Sequence, residues 1–185
     1  MGEKLKINMI SFSGGRTSAY MLIKLLQMEE YKDSIICFAN TGKEKEQTLL
    51  FVKQCDEYIQ NKFNKKINWL EYCKYNKWKW VTYETASRHG EPFIDLVIKR
   101  KMVPNIVSRF CTQELKIRVI RDFMKSWAYK TWTNIVGIRY DEPSRYHNLI
   151  NDTSNRWDNE CPLYKMKVTE PQVLAYWDLM PFNAI

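Results

Sequence analysis

Residues 7–30 constrain the fold more than any other stretch of the sequence. A short apolar segment, 7–12, is followed by a Ser-Gly-Gly turn, and beyond Thr17 apolar side chains recur at the spacing of an amphipathic helix. We therefore predict a strand, a glycine turn and a helix in immediate succession. This succession is typical of α/β proteins, in which strands and helices alternate around a parallel sheet.

The glycine turn has the chemistry of an anion cradle. Two adjacent glycines, Gly14 and Gly15, accept backbone conformations closed to other residues and leave nearby N–H groups uncovered. The following helix directs the positive end of its dipole to the same place. An ordinary strand-to-helix turn is the alternative interpretation, because a short glycine motif is weak evidence by itself. Side chains that would complete a cradle for phosphate, pyrophosphate or sulfate are Ser13, Arg16, Thr17 and Ser18.

The alternation of strands and helices continues along the chain. Residues 34–39, 67–72 and 131–136 have the apolar character of buried strands, and the amphipathic segment 44–61 is typical of a helix. The predicted fold class is therefore α/β, a Rossmann-like, doubly wound and mostly parallel sheet with helices on both faces. One domain accounts for residues 1–185, with a flap or insertion at about 73–109, where glycine and proline interrupt the pattern.

Charge and cysteine content limit the partners. The net charge of +8 and the pI of about 9.2 favour anionic partners such as nucleotides, nucleic acid or acidic proteins, although the lysines are spread as on a solvated surface. Five cysteines without a Cys-x-x-Cys pair or a Cys/His cluster argue against a metal site and fit free thiols in a reducing compartment. The sequence has no apolar run long enough to span a membrane and no signal-like N-terminus. It therefore predicts a cytoplasmic chain without a membrane partner.

Residues 13–18 resemble the PP-loop, Ser-Gly-Gly-x-Asp-Ser, of the adenine nucleotide α-hydrolase superfamily. This superfamily includes ATP pyrophosphatases, ATP sulfurylase and the phosphoadenosine phosphosulfate (PAPS) reductases. Thr17 stands where many members carry Asp, a change that keeps the backbone cradle but removes a carboxylate. The resemblance implies that the first nucleotide-binding residues are Ser13, Gly14, Gly15, Arg16, Thr17 and Ser18.

Three further stretches resemble PAPS reductase segments, in the same order along the chain. The turn after the second strand matches their Asn-Thr-Gly, and a later stretch matches the first Cys and the Lys of their Cys-Cys-x-x-x-Lys. The stretch after the fourth strand resembles their Gly-Leu-Arg-x-x-Gln-Ser-x-x-Arg loop, although it is one residue shorter. The motifs are most similar to those of short PAPS reductase family proteins of phages and mobile elements. The implied nucleotide contacts are Asn40, Thr41, Gly42, Gly137, Arg139 and Arg145, and the implied catalytic residues are Cys111 and Lys116.

These residues also have ordinary structural interpretations. Residues 40–42 would form a plain turn, Cys111 would be a small buried side chain, and the two arginines would pair with nearby carboxylates. The C-terminal catalytic cysteine of the reductases has no counterpart here. Thr112 replaces the second cysteine of their pair, so no iron–sulfur cluster is expected. The carboxylates in reach of Arg139 and Arg145 are those of Asp141, Glu142 and Asp152.

The resemblance implies a strand order of 3-2-1-4, with a possible extra strand, which sets the 13–18 turn beside the Gly137 loop. It implies a PAPS reductase-like enzyme that binds an adenine nucleotide, PAPS or ATP, and acts at the sulfate or phosphate centre. ATP as the substrate would bring Mg²⁺, and PAPS would need a thiol from Cys111 or from a thiol donor protein. The alternatives are an ATP pyrophosphatase-type adenylating enzyme in sulfur transfer or nucleic-acid modification, and a non-catalytic nucleotide-binding module. Nucleic acid and a homodimeric copy stay open as partners, and a phage-encoded chain would act in the host cytoplasm.

Overall fold

A computed structural model describes residues 7–102, 112–155 and 157–183. At its centre is one sheet, in which every neighbouring pair of strands is parallel except the antiparallel pair of the third and fourth strands. The strands are β1 (Asn8–Phe12), β2 (Ile35–Asn40), β3 (Ile67–Cys73), β4 (Lys77–Trp80), β5 (Thr133–Val136) and β6 (Asp158–Glu160). Their order across the sheet is β4-β3-β2-β1-β5-β6.

The predicted α/β class with a mostly parallel sheet is confirmed. The four strands predicted from apolar runs are β1, β2, β3 and β5, and they are neighbours in the implied order. The complete order is longer than the implied 3-2-1-4 because one further strand joins each edge, where one possible extra strand was predicted. β4 lies within the predicted flap or insertion, and β6 consists of three polar residues that carry no strand pattern.

Helices follow most of the strands. A π-helical turn, Gln113–Ile117, leads directly into the fourth helix, and a short 3₁₀ turn, Glu29–Tyr31, follows the first. The α-helices are α1 (Arg16–Leu25), α2 (Glu46–Phe63), α3 (Glu91–Arg100), α4 (Arg118–Ser126), α5 (Pro143–Ile150), α6 (Pro162–Lys165) and α7 (Glu170–Asp178). None of the helices in the described ranges is long and apolar enough to cross a membrane.

Two clusters of buried side chains lie on opposite faces of the sheet, because alternate residues of a strand point to opposite sides. In β1, Ile10 and Phe12 join the cluster that includes α1, α2 and α7, whereas Met9 joins the cluster of α3 and α4. Trp177 of α7 is 1% exposed and its indole N–H donates to the carbonyl oxygen of Arg16 at 3.0 Å. Helix α7 thereby holds the first turn of α1 in place.

Candidate functional site

The sheet has a topological switch point between β1 and β5. From β1 the chain builds β2 and β3 on one side, and it later returns to build β5 and β6 on the other. The loops that leave β1 and β5 are therefore neighbours at the carboxyl ends of these strands. In open α/β sheets the crevice at such a switch point is the usual ligand site, and this place is called the crevice below. The 13–18 turn leaves β1 there, and the Gly137 loop leaves β5 there.

The 13–18 turn is held by its own hydroxyl groups. Ser18 Oγ accepts the backbone N–H of Ser13 at 3.2 Å, donates to Gly15 O at 2.9 Å, and lies 2.9 Å from Ser13 Oγ. Gly14 has a φ of +80°, and a Cβ there would approach Thr48, Phe38 and Val52 to within 3.0 to 3.1 Å. Gly14 is thus required for close packing on α2, and Ser18 shapes the turn from inside.

The open side of the turn is formed by Gly15 and the first turn of α1. Gly15 precedes the helix in an extended conformation with φ −104°, and it is exposed. The first intrahelical hydrogen bond runs from Ala19 N to Gly15 O, so the amide groups of the preceding turn lie outside the helical ladder. No acidic residue lies in this turn. The arrangement fits an anion, since nothing negative competes for the helix N-terminus.

The two loops that meet at the switch point are in direct contact. A Cβ on Gly137 would lie 3.1 Å from the Cα of Ser18, so only glycine permits this approach without displacement. Arg139 Nη1 donates to Thr17 Oγ1 at 3.1 Å. The 13–18 turn and the Gly137 loop, which are far apart in the sequence, therefore lie side by side, as the implied strand order predicted.

Arg139 is surrounded by carboxylates. Its Nε donates to Asp141 at 3.0 Å, and its terminal nitrogens lie 3.8 Å from Glu142 and 3.7 Å from Glu170. Arg145, whose side chain is 64% exposed, pairs with Glu142. The backbone N–H of Glu170 and the Arg139 guanidinium hold the pKa of Asp141 below its usual value. The sequence-based alternative of carboxylate pairing is therefore present for both arginines, with Glu170 as a further partner that sequence reasoning missed.

Arg16 has a partner from a distant part of the chain, since its Nε donates to Asn183 Oδ1 at 2.8 Å. Among the other predicted cradle side chains, those of Ser13, Thr17 and Ser18 lie at the turn, and Arg139 of the neighbouring loop adds a cation through Thr17.

The 40–42 turn lies beyond the carboxyl end of β2, one strand away from the crevice. Asn40 is fully buried, and its Oδ1 accepts the N–H of Gly42 at 3.1 Å. Thr41 Oγ1 and Lys116 Nζ both donate to Glu44 Oε1, at 3.2 and 3.1 Å. The structure therefore brings Lys116 close to the Thr41 turn, with the carboxylate of Glu44 between them. The π-helical turn that carries Lys116 is a rare conformation often found at functional sites.

Glu71 is a buried carboxylate that the sequence analysis did not consider. It is fully buried in β3 and accepts hydrogen bonds from Asn40 Nδ2 at 2.6 Å, Ser87 N at 2.6 Å and Ser87 Oγ at 2.9 Å. Lys79 Nζ lies 3.2 Å from it. Glu71 thus joins the segment after β4 to the end of β2. A single acidic residue inside the apolar run INWLEYC was the signal available in the sequence.

Most described cysteines are poor nucleophiles. Cys37, Cys55 and Cys161 are buried, and burial raises the pKa of all three thiols, that of Cys161 to about 11. Cys73 is half-buried. Cys111, the predicted catalytic thiol, lies outside the described residues. Because the thiolate is the reactive form, the three buried cysteines hold their thiols protonated and inert at neutral pH.

A brief iodoacetamide pulse at neutral pH is expected to modify Cys73 well before Cys37, Cys55 or Cys161. Burial and a raised pKa both slow the three buried thiols, which should react only after denaturation. Peptide mass spectrometry after increasing pulse lengths gives the order of labelling. Native-state labelling of Cys161 as fast as that of Cys73 would contradict the described burial.

The described residues include no group of three or more His, Cys, Asp or Glu side chains arranged to hold a metal ion. Mg²⁺ commonly binds through one or two carboxylates together with substrate phosphates, so a nucleotide could bring most of its ligands. Asp141 and Glu142 are the carboxylates beside the crevice, and both are engaged by arginines.

The fold defines a Rossmann-like α/β protein, with the switch point between β1 and β5 as the candidate site. No protein family model matches the chain. Over 189 residues it is 31% identical to the uncharacterized nin region protein ORF290 of Escherichia phage lambda, covering 96% of this chain and 61% of that protein. It is 25% identical over 167 residues to an uncharacterized 37.8 kDa protein in the gpa 5′ region of Escherichia phage 186, covering 75% of this chain and 49% of that protein. The chain thus spans about half to three-fifths of these relatives, whose names state no activity.

Proposed function

We propose that this chain binds an adenine nucleotide, PAPS or ATP, in the crevice between β1 and β5 and acts at its sulfate or phosphate centre, as a PAPS reductase-like enzyme. The observation that carries the proposal is the contact between two loops 122 residues apart, in which Arg139 donates to Thr17 at 3.1 Å. A plain strand-to-helix turn would not need a guanidinium from another strand. An anion site at the N-terminus of α1 gains a fixed cation from it.

The phosphate or sulfate groups would lie against Gly15 and the first turn of α1, where backbone N–H groups point outward. Arg139 uses two of its five N–H donors in the hydrogen bonds described, to Asp141 and Thr17. Its separations of 3.7 and 3.8 Å from Glu170 and Glu142 exceed hydrogen-bond distance, so donors remain for a ligand. The neighbouring carboxylates orient the guanidinium without saturating it.

Lys116 would act on the group transferred. It lies on a π-helical turn beside the Thr41 turn, at the end of the strand next to β1, and its amine is held by Glu44. An ammonium at this place would stabilise negative charge that develops on a sulfite or phosphate leaving group. Reduction of PAPS also requires two thiols, from Cys111 and a thiol donor protein or from the donor alone: the first would take the sulfo group as adenosine 3′,5′-bisphosphate leaves, and the second would displace sulfite and form a disulfide with the first. The reaction would take place in the cytoplasm of the host cell, where thiols stay reduced.

ATP cleavage between the α- and β-phosphates, with adenylation of an acceptor and release of pyrophosphate, is the second candidate. The burial of Cys37, Cys55 and Cys161 favours it, because this reaction needs no protein thiol. Mg²⁺, when bound with ATP, would neutralise phosphate charge. Arg139 and the α1 N-terminus would hold the same phosphates in either reaction.

Product analysis by chromatography tests the proposal. The protein is incubated with PAPS and a reduced thiol donor, and separately with ATP and Mg²⁺, while calorimetry measures binding of each nucleotide. Adenosine 3′,5′-bisphosphate with sulfite supports the reductase, and AMP with pyrophosphate supports the second candidate. Binding without turnover would reduce the function to a nucleotide-binding module. If neither PAPS nor ATP bound, the proposed site would be wrong.

A further inference from the structure

A basic, aromatic cleft lies at the edge of the sheet opposite the crevice. Lys130 and Trp132 precede β5, and Trp157 precedes β6, so they lie at the amino ends of these parallel strands. The cleft has a volume of about 310 Å³, which is within the usual range of small-molecule pockets. Its polar lining includes Arg121 and Lys125 of α4 together with Lys130, Ser154 and Asn155.

The positive charge of this cleft is only partly compensated. Arg121 pairs with Asp122 at 2.9 Å. Lys125 and Lys130 are exposed, and the described part of the chain places no carboxylate within ion-pair distance of either. Asp152 lies near the opposite wall, where its carboxylate accepts the N–H of Ser154 at 2.9 Å. Two lysines are thus available for a ligand that carries negative charge.

The aromatic part of the cleft presents an indole surface. Trp132 is 2% exposed and stacks on Trp157 with ring centroids 5.0 Å apart and an interplanar angle of 17°. Trp157 is half-buried, so Trp132 supports one face of it from the core. A rigid, partly exposed indole beside unpaired lysines is a suitable platform for a nucleobase, because stacking accepts any base.

The cleft continues along the sheet. A smaller cavity of about 80 Å³ shares Arg121, Trp132 and Trp157 with it and extends past β1 to Lys116. This smaller cavity is too small for a second nucleotide, so the larger cleft would hold one base. Lys125 and Lys130 are two separate cations at the larger cleft, which suits the successive phosphates of a strand better than the single phosphate of a mononucleotide.

We infer that this cleft binds single-stranded nucleic acid, with phosphates on Lys125 and Lys130 and a base stacked on Trp157. The inference is independent of the nucleotide proposed at the crevice, because Lys125, Lys130 and Trp157 lie at the other end of the strands from Gly15 and Arg139. Lysine contacts to phosphate release counterions and make binding depend on salt. Stacking on the indole contributes without selecting a particular base.

Fluorescence anisotropy with a labelled oligothymidylate tests this inference in the full chain. The double variant Lys125→Ala/Lys130→Ala is compared with Lys62→Ala/Lys65→Ala, which removes two positive charges near the end of α2, on the other face of the sheet. The first variant is expected to bind about tenfold more weakly at low salt. Its plot of log affinity against log salt concentration should be flatter by about 1.4, at roughly 0.7 for each single-strand phosphate contact. The control variant should bind as the parent does.

The variant Trp157→Ala should weaken oligonucleotide binding about tenfold, provided that thermal melting shows a folded chain. The crevice variant Gly15→Asp should leave it unchanged, which separates this inference from the proposed function. An equal loss of oligonucleotide affinity in the two double-lysine variants would show that binding is a non-specific effect of the basic surface, and would overturn the inference. Displacement of the oligonucleotide by free AMP at equal nucleotide concentration, or absence of binding, would overturn it as well.

Discussion

Gly15→Asp is expected to abolish nucleotide binding while leaving the chain at least as stable as the parent. Gly15 has φ −104° and ψ 161°, which any residue adopts, and a Cβ there would meet only Ser13 Oγ, at 3.8 Å. Asp is a favoured residue before a helix, and its charge is stabilised by the helix dipole by about 0.3–1 kcal/mol. The same carboxylate would repel the phosphate that we place there, so affinity should fall by about 100-fold or more.

The matched control is Gly15→Asn, which has the same size and the same capping ability but no charge. Both side chains can accept hydrogen bonds from the first N–H groups of α1. The difference in affinity between the two variants therefore isolates the effect of charge. We expect the Asp variant to bind at least about tenfold more weakly than the Asn variant, because like-charge contacts cost several kcal/mol. Calorimetry measures the affinity and thermal melting the stability. Equal affinity of both variants would place the phosphate elsewhere.

The neighbouring glycine is unsuited to this test. Gly14 is buried with φ +80°, and a side chain there would press on Phe38 and Val52. A substitution at Gly14 would therefore destabilise the fold and lower binding indirectly. The two glycines of one motif thus have different roles: Gly14 packs against α2, and Gly15 leaves the site open.

Glu71→Ala is expected to lower the free energy of unfolding by about 3 kcal/mol. The substitution leaves Asn40 Nδ2 and Ser87 N without their 2.6 Å acceptor in a buried place. Each unsatisfied buried donor costs about 1–3 kcal/mol. Urea denaturation followed by circular dichroism measures the change, as a lower midpoint at an unchanged slope.

Glu71→Gln is the matched control for shape. Its carbonyl oxygen can still accept from Asn40 and Ser87 N, while its amide group must face Ser87 Oγ and Lys79 in place of a carboxylate oxygen. Ser87 Oγ can accept from the amide by rotating its proton, so we expect a loss of about 1 kcal/mol. If Glu71→Ala lowered the free energy of unfolding no more than Glu71→Gln does, the buried hydrogen bonds of Glu71 would not be what stabilises this segment.

Much of the sheet was predictable because its central strands are buried on both faces. The strands β1, β2, β3 and β5 read as apolar runs, and glycine or polar turns mark their ends. The edge strand β6 has the sequence DNE, which contains no apolar residue, and pairs only through its backbone with β5. Local sequence does not encode such pairing.

The position of the candidate site in the fold was predictable from the sequence, but the contacts of its side chains were less so. The sequence motifs located the turn of β1 and the loop of β5, and the strand order implied that they meet. The partners of individual side chains come from distant residues: Asn183 accepts a hydrogen bond from Arg16, and Glu71 and Ser87 accept from the amide of Asn40. Residue type and spacing do not specify such contacts, because they depend on where separate loops pack.

The hydrogen bond between Arg139 and Thr17 also has a consequence for folding. The two side chains are 122 positions apart along the chain, and the segment between them contains three of the sheet's strands besides β5. Closing so long a loop is slow, because contacts distant in sequence require chain entropy to be lost first. The crevice should consequently be among the last parts of the molecule to form. A ligand that bridges both loops would bind only the completed fold and stabilise the whole chain, by an amount that grows with the logarithm of its concentration.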